Sequence, residues 1–304
     1  MEIIGRNPLF LRCLEDAKLA AASNANILIE GETGTGKELI AKIIHKFSAR
    51  RDKELVVINC AAMPDALLES ELFGHEKGAF TDAHTEKIGL VELANNGTLV
   101  LDEIGEMSLT LQPKILRFLE NGEYRKVGGT KMKHSNVRIV SSTNRGLLQA
   151  VTEGKFRRDL FYRLKVIHLS VPPLRYRKDD IPELAKYFIN QYQDKYLSSE
   201  ATEELRTYDW PGNVRELKNV IEQACVFTPS DQRAIQVDHL RLKNSVYTAY
   251  KEEVPDPVYN IENVEADLIK KALQKTLFNR VEAAALLGIS QKTLYTKIKK
   301  YNIL

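Results

Sequence analysis

Short apolar runs alternate with helix-like patterns over the first 170 residues of this 304-residue chain. Five of these runs are rich in branched side chains and predict buried strands, at residues 27–29, 55–58, 98–101, 137–140 and 166–169. Stretches with helical periodicity separate the runs, and crossovers of this kind join parallel strands. The pattern therefore predicts an α/β domain whose parallel sheet is covered by helices on both faces.

The pattern changes after Pro172 and Pro173, where strand-like runs disappear. Amphipathic spacing then predicts three helices, at residues 181–196, 199–208 and 213–227. Asp180 precedes the first helix and Ser198 precedes the second, as helix-starting residues commonly do. This segment is predicted to form a small helical lid.

The remaining sequence predicts a linker and a second helical domain. Residues 244–260 mix charges, tyrosines and two prolines, a composition typical of a linker. The predicted organisation is an α/β subdomain at 1–172, a helical lid at 173–243, a linker at 244–260 and a terminal helical domain at 261–304.

Composition narrows the class of protein. Cys13, Cys60 and Cys225 lie far apart without a CxxC pair, so we expect small apolar fillers and neither a disulfide framework nor a zinc site. No apolar stretch reaches the roughly 18 residues of a membrane span, and the N-terminus lacks a signal-peptide profile. A cytoplasmic protein with no membrane partner is expected.

The charge is unevenly distributed. The net charge of +3 is too small to indicate a partner, but residues 262–304 hold eight Lys or Arg against four Asp or Glu. A basic terminal domain suits a DNA phosphate backbone. A solvated charged helix is the alternative.

A glycine-rich segment follows the first predicted strand and opens a helix. It consists of Gly31, Glu32, Thr33, Gly34, Thr35, Gly36, Lys37 and Glu38. Glycines let such a loop direct backbone N–H groups at phosphate oxygens, the helix N-terminus adds favourable potential, and Lys37 can reach the β- and γ-phosphates. Glu38 replaces the Ser or Thr that usually follows the lysine. The segment predicts ATP binding.

Two carboxylates end the third predicted strand. Asp102 at the strand tip could hold Mg²⁺ through water, and Glu103 could polarise an attacking water. A solvated strand end is the alternative for an isolated Asp-Glu pair. Together with the glycine-rich loop, the pair predicts that the protein hydrolyses ATP.

The segment ELFGHEKGAFTDA at residues 71–83 resembles the signature motif of a known protein family. The chain resembles the bacterial enhancer-binding proteins of the NtrC family, which activate sigma-54 RNA polymerase holoenzyme, and the similarity runs from about Ile4 to the C-terminus. The resemblance implies an AAA+ P-loop NTPase fold with a helical lid. It also implies a hexameric ring in which Phe80 and Thr81 of this loop contact the sigma factor.

Asp82 departs from that family's pattern, which usually has glycine at this position. Glycine permits backbone angles that Asp tolerates less well, and the added charge could alter the sigma-factor contact. We therefore keep as an alternative a DNA-binding regulator or repressor that retains the ATPase but is uncoupled from sigma-54.

Other site residues follow from the resemblance. Asn59 resembles the asparagine that orients the catalytic glutamate, and Thr143 with Asn144 resembles the polar sensor beside the γ-phosphate. The segment FRRDLFYRL implies that Arg157 and Arg163 are arginine fingers offered to a neighbouring subunit, which requires a homo-oligomer. Pairing of these arginines with Asp159 or surface acids is the alternative. The motif WPGNVREL places a second sensor at Arg215.

The last forty residues predict helix, turn and helix. Asn279 and Ser290 are expected to cap the two helices, Gly288 to end the first, and Leu294 with Ile298 to face inward. The residues left for the major groove or phosphates are Gln291, Lys292, Thr293, Tyr295, Thr296 and Lys299. The arrangement resembles the all-α Fis-type module and implies a dimer that binds palindromic double-stranded enhancer DNA. A helical hairpin used only for dimerisation is the alternative.

The expected function is ATP-dependent activation of transcription with sigma-54 holoenzyme. An AAA+ loader or chaperone with a DNA tether is a further alternative. The chain begins almost directly at the AAA+ segment, whereas family members usually carry an upstream receiver or sensory domain. We therefore expect control by a regulatory domain or a separate regulator, as in two-component systems.

Overall fold

A computed structural model describes residues 3–144, 146–190, 192, 195–229, 231–242, 261–276 and 279–301. It contains two compact units, residues 1–243 and 244–304. The predicted linker at 244–260 lies outside the described residues.

The strands and helices follow one another in the order expected of an α/β domain with a helical addition. The strands are β1 (Ile27–Glu30), β2 (Leu55–Asn59), β3 (Gly74–His75), β4 (Lys87–Ile88), β5 (Thr98–Asp102), β6 (Glu123–Tyr124), β7 (Lys133–His134), β8 (Arg138–Thr143), β9 (Ile167–Ser170), β10 (Tyr196–Leu197) and β11 (Ala234–Ile235). The helices are α1 (Pro8–Ala21), α2 (Lys37–Lys46), α3 (Asp65–Phe73), α4 (Leu90–Leu93), α5 (Gln112–Asn121), α6 (Leu147–Thr152), α7 (Arg158–Leu164), α8 (Ile181–Ile189), α9 (Ser199–Thr207), α10 (Asn213–Phe227), α11 (Val237–Leu240), α12 (Ile261–Lys275), α13 (Arg280–Leu286) and α14 (Gln291–Lys300). None of these helices is long and apolar enough to cross a bilayer.

The central sheet has five strands in the order β2-β5-β8-β1-β9, and every neighbouring pair is parallel. The prediction of five strands in a parallel sheet is therefore confirmed. Burial was predicted correctly for β1, β5 and β8 but not for the edge strands β2 and β9, which have one buried residue each because a neighbouring strand covers them on one side only. The register sets Asn59 beside Asp102 and Glu30 beside Thr143. Because parallel strands share their carboxyl ends, these polar residues meet at one edge, where open α/β sheets bind ligands.

Alternating side chains of the strands pack into two separate cores. On β5, Leu99 and Leu101 face a core completed by α3, α5 and α7. Val100 of the same strand faces the opposite core, which α1 and α2 complete. Helices therefore cover both faces, as predicted.

A third core lies in the lid, where Trp210 is fully buried among residues of α8 to α11. The sequence-based bounds of the first lid helix were wrong, because α8 ends at Ile189 and Tyr196 belongs to a strand. Strand β10 pairs in parallel with β11, so strands do not disappear after Pro173. The partner β11 is distant in sequence, and pairing of this kind leaves no local signal.

The two expected lid caps have different outcomes. The Ser198 side chain accepts a hydrogen bond from the Ala201 amide, as predicted for a cap. Asp180 makes no such bond to α8; its carboxylate instead accepts hydrogen bonds from the amides of Arg6 and Asn7. Asp180 therefore fixes the segment before α1 and does not cap a helix.

The C-terminal unit forms the predicted helix, turn and helix, preceded by α12. The Asn279 side chain accepts from the Val281 and Glu282 amides, and Ser290 accepts from the Thr293 amide, so both caps are confirmed. Gly288 has φ +65° in the turn, a region that favours glycine. The small core contains Ile269, Ala272, Leu273, Ala283, Ala284, Leu294 and Ile298.

Candidate active site

The glycine-rich loop connects β1 to α2 at the carboxyl edge of the sheet. Gly34 and Gly36 have φ +78° and +104°, angles that side chains rarely adopt. Gly36 precedes α2 and offers no side-chain cap, so the first amides of the helix are not occupied by a capping side chain. Such amides, together with the positive end of the helix, are suited to a phosphate group.

Lys37 is held across this loop. Its Nζ donates to the carbonyl oxygens of Gly31 at 2.9 Å and Glu32 at 3.4 Å. The same nitrogen lies 3.4 Å from Oε1 of Glu103, and the lysine side chain is only 6% exposed. The buried ammonium group is therefore paired and directed between the loop and the end of β5.

The two carboxylates at the end of β5 have different environments. Asp102 Oδ1 accepts a 2.5 Å hydrogen bond from Ser142, a residue of the neighbouring strand β8. Glu103 has φ +52° and ψ +47°, a left-handed conformation uncommon for a residue with a side chain. Its Oε2 accepts a 3.0 Å hydrogen bond from the Asn144 amide. Strained backbone of this kind often marks functional positions.

The family resemblance implies that Asn59 orients the catalytic glutamate, Glu103, but in the structure Asn59 contacts Asp102 instead. Its Nδ2 donates at 3.4 Å to Asp102, and its Oδ1 accepts at 2.8 Å from the Ala61 amide. The register of β2 on β5 explains this difference, because it sets Asn59 directly opposite Asp102. Burial, with Asp102 and Glu103 nearby, raises the pKa of the adjacent Cys60 thiol to about 12, as befits an inert filler.

The residues present fit a magnesium ion carried with ATP. Within the described residues no group of three or more His, Cys, Asp or Glu could hold a metal alone. Magnesium in nucleotide sites commonly takes one or two carboxylates and completes its shell with phosphate oxygens and water. Asp102 can supply that carboxylate. Glu38, in place of the usual hydroxyl, instead pairs with Lys42 at 2.6 Å on the exposed face of α2.

Thr143 and Asn144 lie between the loop and Glu103. The Thr143 carbonyl accepts from the Gly31 amide at 3.2 Å. Asn144 Nδ2 donates to Thr33 Oγ1 at 2.9 Å, while its amide holds Glu103. Asn144 thus contacts both the loop and the carboxylate.

The two candidate arginine fingers contact their own subunit in this structure. Arg157 binds Asp159 through two hydrogen bonds of 2.6 and 3.0 Å, which raise the pKa of the arginine and lower that of the aspartate. Arg163 donates to the carbonyls of Leu119 and Glu120 at the end of α5. Because solvent screens an exposed ion pair, the pair between Arg157 and Asp159 adds little stability, and another anion can replace Asp159 as the partner of Arg157.

Arg215 lies at the start of α10, above the glycine-rich loop. A Cβ atom at Gly34 would lie 3.0 Å from the Arg215 Cβ atom. The Arg215 side chain is exposed.

Several residues of this site were not predicted from the sequence. Ser142 holds Asp102, and Arg175 forms a bidentate pair with Glu32 at 2.6 and 2.7 Å. The hydrogen bonds from Arg175 are the main cause of a lowered Glu32 pKa, and a bond from Asn213 adds to it. A serine inside an apolar strand and an arginine after a proline pair carry no local signal for these contacts.

The segment resembling the sigma-contact loop projects from the pair β3–β4. Phe80 is 39% exposed and its ring lies 5.0 Å from that of His75. Asp82 does not have the positive φ that glycine would be needed for, and its carbonyl accepts from the His84 amide at 2.9 Å. The expected backbone conflict at Asp82 is therefore absent. The feature of Asp82 that could still alter the sigma-factor contact, compared with the family's usual glycine, is its charge.

The second helix of the C-terminal unit exposes the predicted DNA-contact face. Leu294 and Ile298 are buried, as predicted. The exposed positions are Gln291, Lys292, Thr293, Tyr295, Thr296 and Lys299. Tyr295 is 60% exposed and lies 6.0 Å from the guanidinium of Arg280.

Three families match consecutive parts of the sequence. The sigma-54 interaction domain matches residues 3–170, the AAA+ ATPase lid domain residues 175–254, and the Fis family of bacterial regulatory proteins residues 260–301. The chain belongs to the NtrC family of sigma-54 activators. Its AAA+ P-loop fold, helical lid and C-terminal Fis-type domain agree with the fold class predicted from sequence.

Relatives within the NtrC family match almost the whole chain. The regulatory protein AtoC of Escherichia coli is 42% identical over 99% of this chain and 68% of its own length. The alginate biosynthesis transcriptional regulatory protein AlgB of Pseudomonas aeruginosa is 43% identical over 98% of this chain and 67% of its own.

Solved structures agree with this family assignment. NtrX of Brucella abortus in complex with ATP has a TM-score of 0.73 and 30% identity over 99% of this chain and 69% of the NtrX chain. A RuvB variant of Thermotoga maritima, at 17% identity over 96% of this chain and 86% of its own, shares the fold with a TM-score of 0.52.

Proposed function

We propose that this NtrC-family chain is an ATP-driven transcriptional activator. In this proposal it binds enhancer DNA, assembles into a ring, and uses ATP hydrolysis to convert closed complexes of sigma-54 RNA polymerase into open complexes. The observation that carries the proposal is the meeting of Lys37, Glu103 and Asn144 around one glycine-rich loop, in a chain with an exposed Phe80 loop.

Each residue of the loop edge has a proposed role in hydrolysis. Lys37 and the loop amides would bind the β- and γ-phosphates, Asp102 would hold Mg²⁺, and Glu103 would accept a proton from the attacking water. Magnesium, when bound, neutralises charge on the phosphate oxygens. The related NtrX structure is a complex with ATP, which supports ATP binding by this chain.

Completion of the site is proposed to require a neighbouring subunit. Arg157 and Arg163 of one subunit would reach the γ-phosphate bound by the next, and Arg215 would report the nucleotide to the lid. Because Arg157 is exposed and its pair with Asp159 is open to solvent, exchanging Asp159 for a phosphate costs little. We propose dimers on DNA that assemble into a hexameric ring.

The C-terminal unit is proposed to bind the enhancer through α14. Its exposed lysines would contact phosphates, while Gln291 and Tyr295 would reach base edges. The N-cap at Ser290 fixes the start of this helix, and in recognition helices the N-terminal residues contact base edges. A regulatory domain or a separate regulator would control assembly.

The experiment is ATP-dependent open-complex formation by sigma-54 holoenzyme on a supercoiled promoter. The unaltered chain is expected to open the promoter, and Glu103→Ala to bind ATP without opening it. Asp82→Gly is expected to behave like the unaltered chain, since the backbone at Asp82 does not need glycine. If ATP is hydrolysed but the promoter opens only with Asp82→Gly, the activator proposal is wrong and the uncoupled regulator replaces it.

A further inference from the structure

Three consecutive carbonyl groups of the glycine-rich loop accept hydrogen bonds from the lid side of the site. The Thr33 carbonyl accepts from Asn213 Nδ2 at 3.1 Å, and the Gly34 carbonyl accepts from the Val214 amide at 3.0 Å. The Thr35 carbonyl accepts from Arg177 Nη2 at 2.7 Å. The donors come from the start of α10 and from the turn that follows β9.

Fixing these carbonyls also fixes the amides that bind phosphate. In a trans peptide the C=O of one residue and the N–H of the next point in opposite directions. The amides of Gly34, Thr35 and Gly36 therefore point away from the lid. The Thr35 amide donates to the Glu32 carbonyl within the loop itself at 3.3 Å. Concave arrays of such amides are what anions bind.

Asn213 is specialised for this contact. It is fully buried and has φ +54°, a conformation that asparagine tolerates better than most residues. Its Oδ1 accepts from the Leu174 amide at 2.7 Å, while Nδ2 donates to Glu32 and Thr33. Aspartate has the same shape, but it could only accept the hydrogen bond from Leu174 and could not donate to Glu32 and Thr33.

Arg177 is equally constrained. It is 2% exposed and its guanidinium lies 4.5 Å from the ring of Phe10. Burial lowers the pKa of Arg177, which is the cost of placing a charged group there. A buried cation aimed at the Thr35 carbonyl, rather than at a surface acid, indicates that the orientation of the loop is what it maintains.

We propose that Asn213 and Arg177 are positioning residues that hold the glycine-rich loop open for the phosphates of ATP. The inference rests on the proposed ATPase activity and names how the lid controls it. When the lid leaves the loop, the three carbonyls lose their donors and the amides lose their orientation. Lid position and nucleotide affinity are then coupled, each changing the other by the same factor.

The test compares Asn213→Asp with Asn219→Asp, which makes the same chemical change on the exposed face of α10. The readouts are KM and kcat for ATP hydrolysis and the Kd for ADP by calorimetry. Asn213→Asp is expected to raise KM and Kd about tenfold, because one donor is lost and a charge is added beside Glu32. The kcat should change less than about threefold, since uniform binding is removed.

Three further variants separate positioning from folding. Asn213→Gly keeps the left-handed backbone and is expected to raise the ADP Kd in the same direction. Arg177→Lys retains a cationic donor and is expected to bind ADP more tightly than Arg177→Met. If Asn213→Asp and Asn213→Gly both match Asn219→Asp in KM and ADP Kd, the inference is wrong. If the unaltered chain binds ADP but hydrolyses no ATP, the proposed activity fails, while the ADP titrations still decide the positioning role.

Discussion

Gly34→Ala tests whether the lid lies on the loop as closely as the structure shows. A Cβ atom at Gly34 would lie 2.3 Å from the Gly212 carbonyl oxygen and 3.0 Å from the Arg215 Cβ atom. Relief requires the lid to retreat by about 1 Å, since carbon and oxygen normally approach no closer than about 3.3 Å. That movement would break the 3.0 Å hydrogen bond from the Val214 amide to Gly34.

The magnitude follows from comparison with Gly154→Ala. Gly154 has φ +70°, close to the +78° of Gly34, but a Cβ atom there meets nothing within 4 Å. Both variants carry about 1–2 kcal/mol of backbone strain. Only Gly34→Ala adds about 1–3 kcal/mol of overpacking and about 1 kcal/mol for the lost hydrogen bond.

The assay is thermal unfolding without nucleotide, combined with hydrogen exchange at the Val214 amide. At about 2–4 °C per kcal/mol, Gly34→Ala is expected to melt at least about 4 °C below Gly154→Ala. The Val214 amide should exchange faster only in Gly34→Ala. Equal melting temperatures and equal Val214 exchange in the two variants would refute the close lid–loop contact.

Three further predictions concern the charged groups. Arg163→Ala is expected to reduce hydrolysis about a thousandfold while ATP still binds, and mixing with Glu103→Ala subunits should restore activity; no recovery would contradict fingers acting between subunits. Arg175 is the chief cause of the lowered Glu32 pKa, so the ion pair between them stabilises the folded state at pH values above 4.5, the ordinary pKa of Glu32. This stabilisation is lost as the pH falls through the lower pKa of Glu32 in the folded state. Glu32→Gln should therefore be about 0.5 kcal/mol less stable at pH 7 and equally stable near pH 3, by urea unfolding, whereas a gap that persists in acid would exclude the pair. Lys292→Ala should weaken DNA binding and reduce the salt slope by about 1, and an unchanged slope would remove Lys292 from the phosphate contacts.

Local pattern was enough for the sheet and the loop. The strands were predictable because buried parallel strands are continuous runs of branched residues, and β5 is such a run. The glycines were predictable as a phosphate loop because their positive φ angles serve that shape. Both signals are contained within a few neighbouring residues.

Contacts between distant residues left no such signal. Arg175 reaches Glu32 across 143 positions, and Asn213 reaches the same carboxylate across 181. The partner of Asn59 depends on strand register, which a side-chain motif does not encode. The left-handed backbone at Glu103 likewise depends on the turn after β5. Sequence could place these residues near the site but could not assign their partners.

Lys37 and Glu103 act as counter-ions to each other within the site. With their charged atoms 3.4 Å apart, the cation that binds phosphate and the carboxylate proposed to activate water neutralise each other. In the proposed mechanism, a phosphate that attracts Lys37 would release Glu103 from this pair. Binding of the substrate phosphate and release of the base would therefore be a single event.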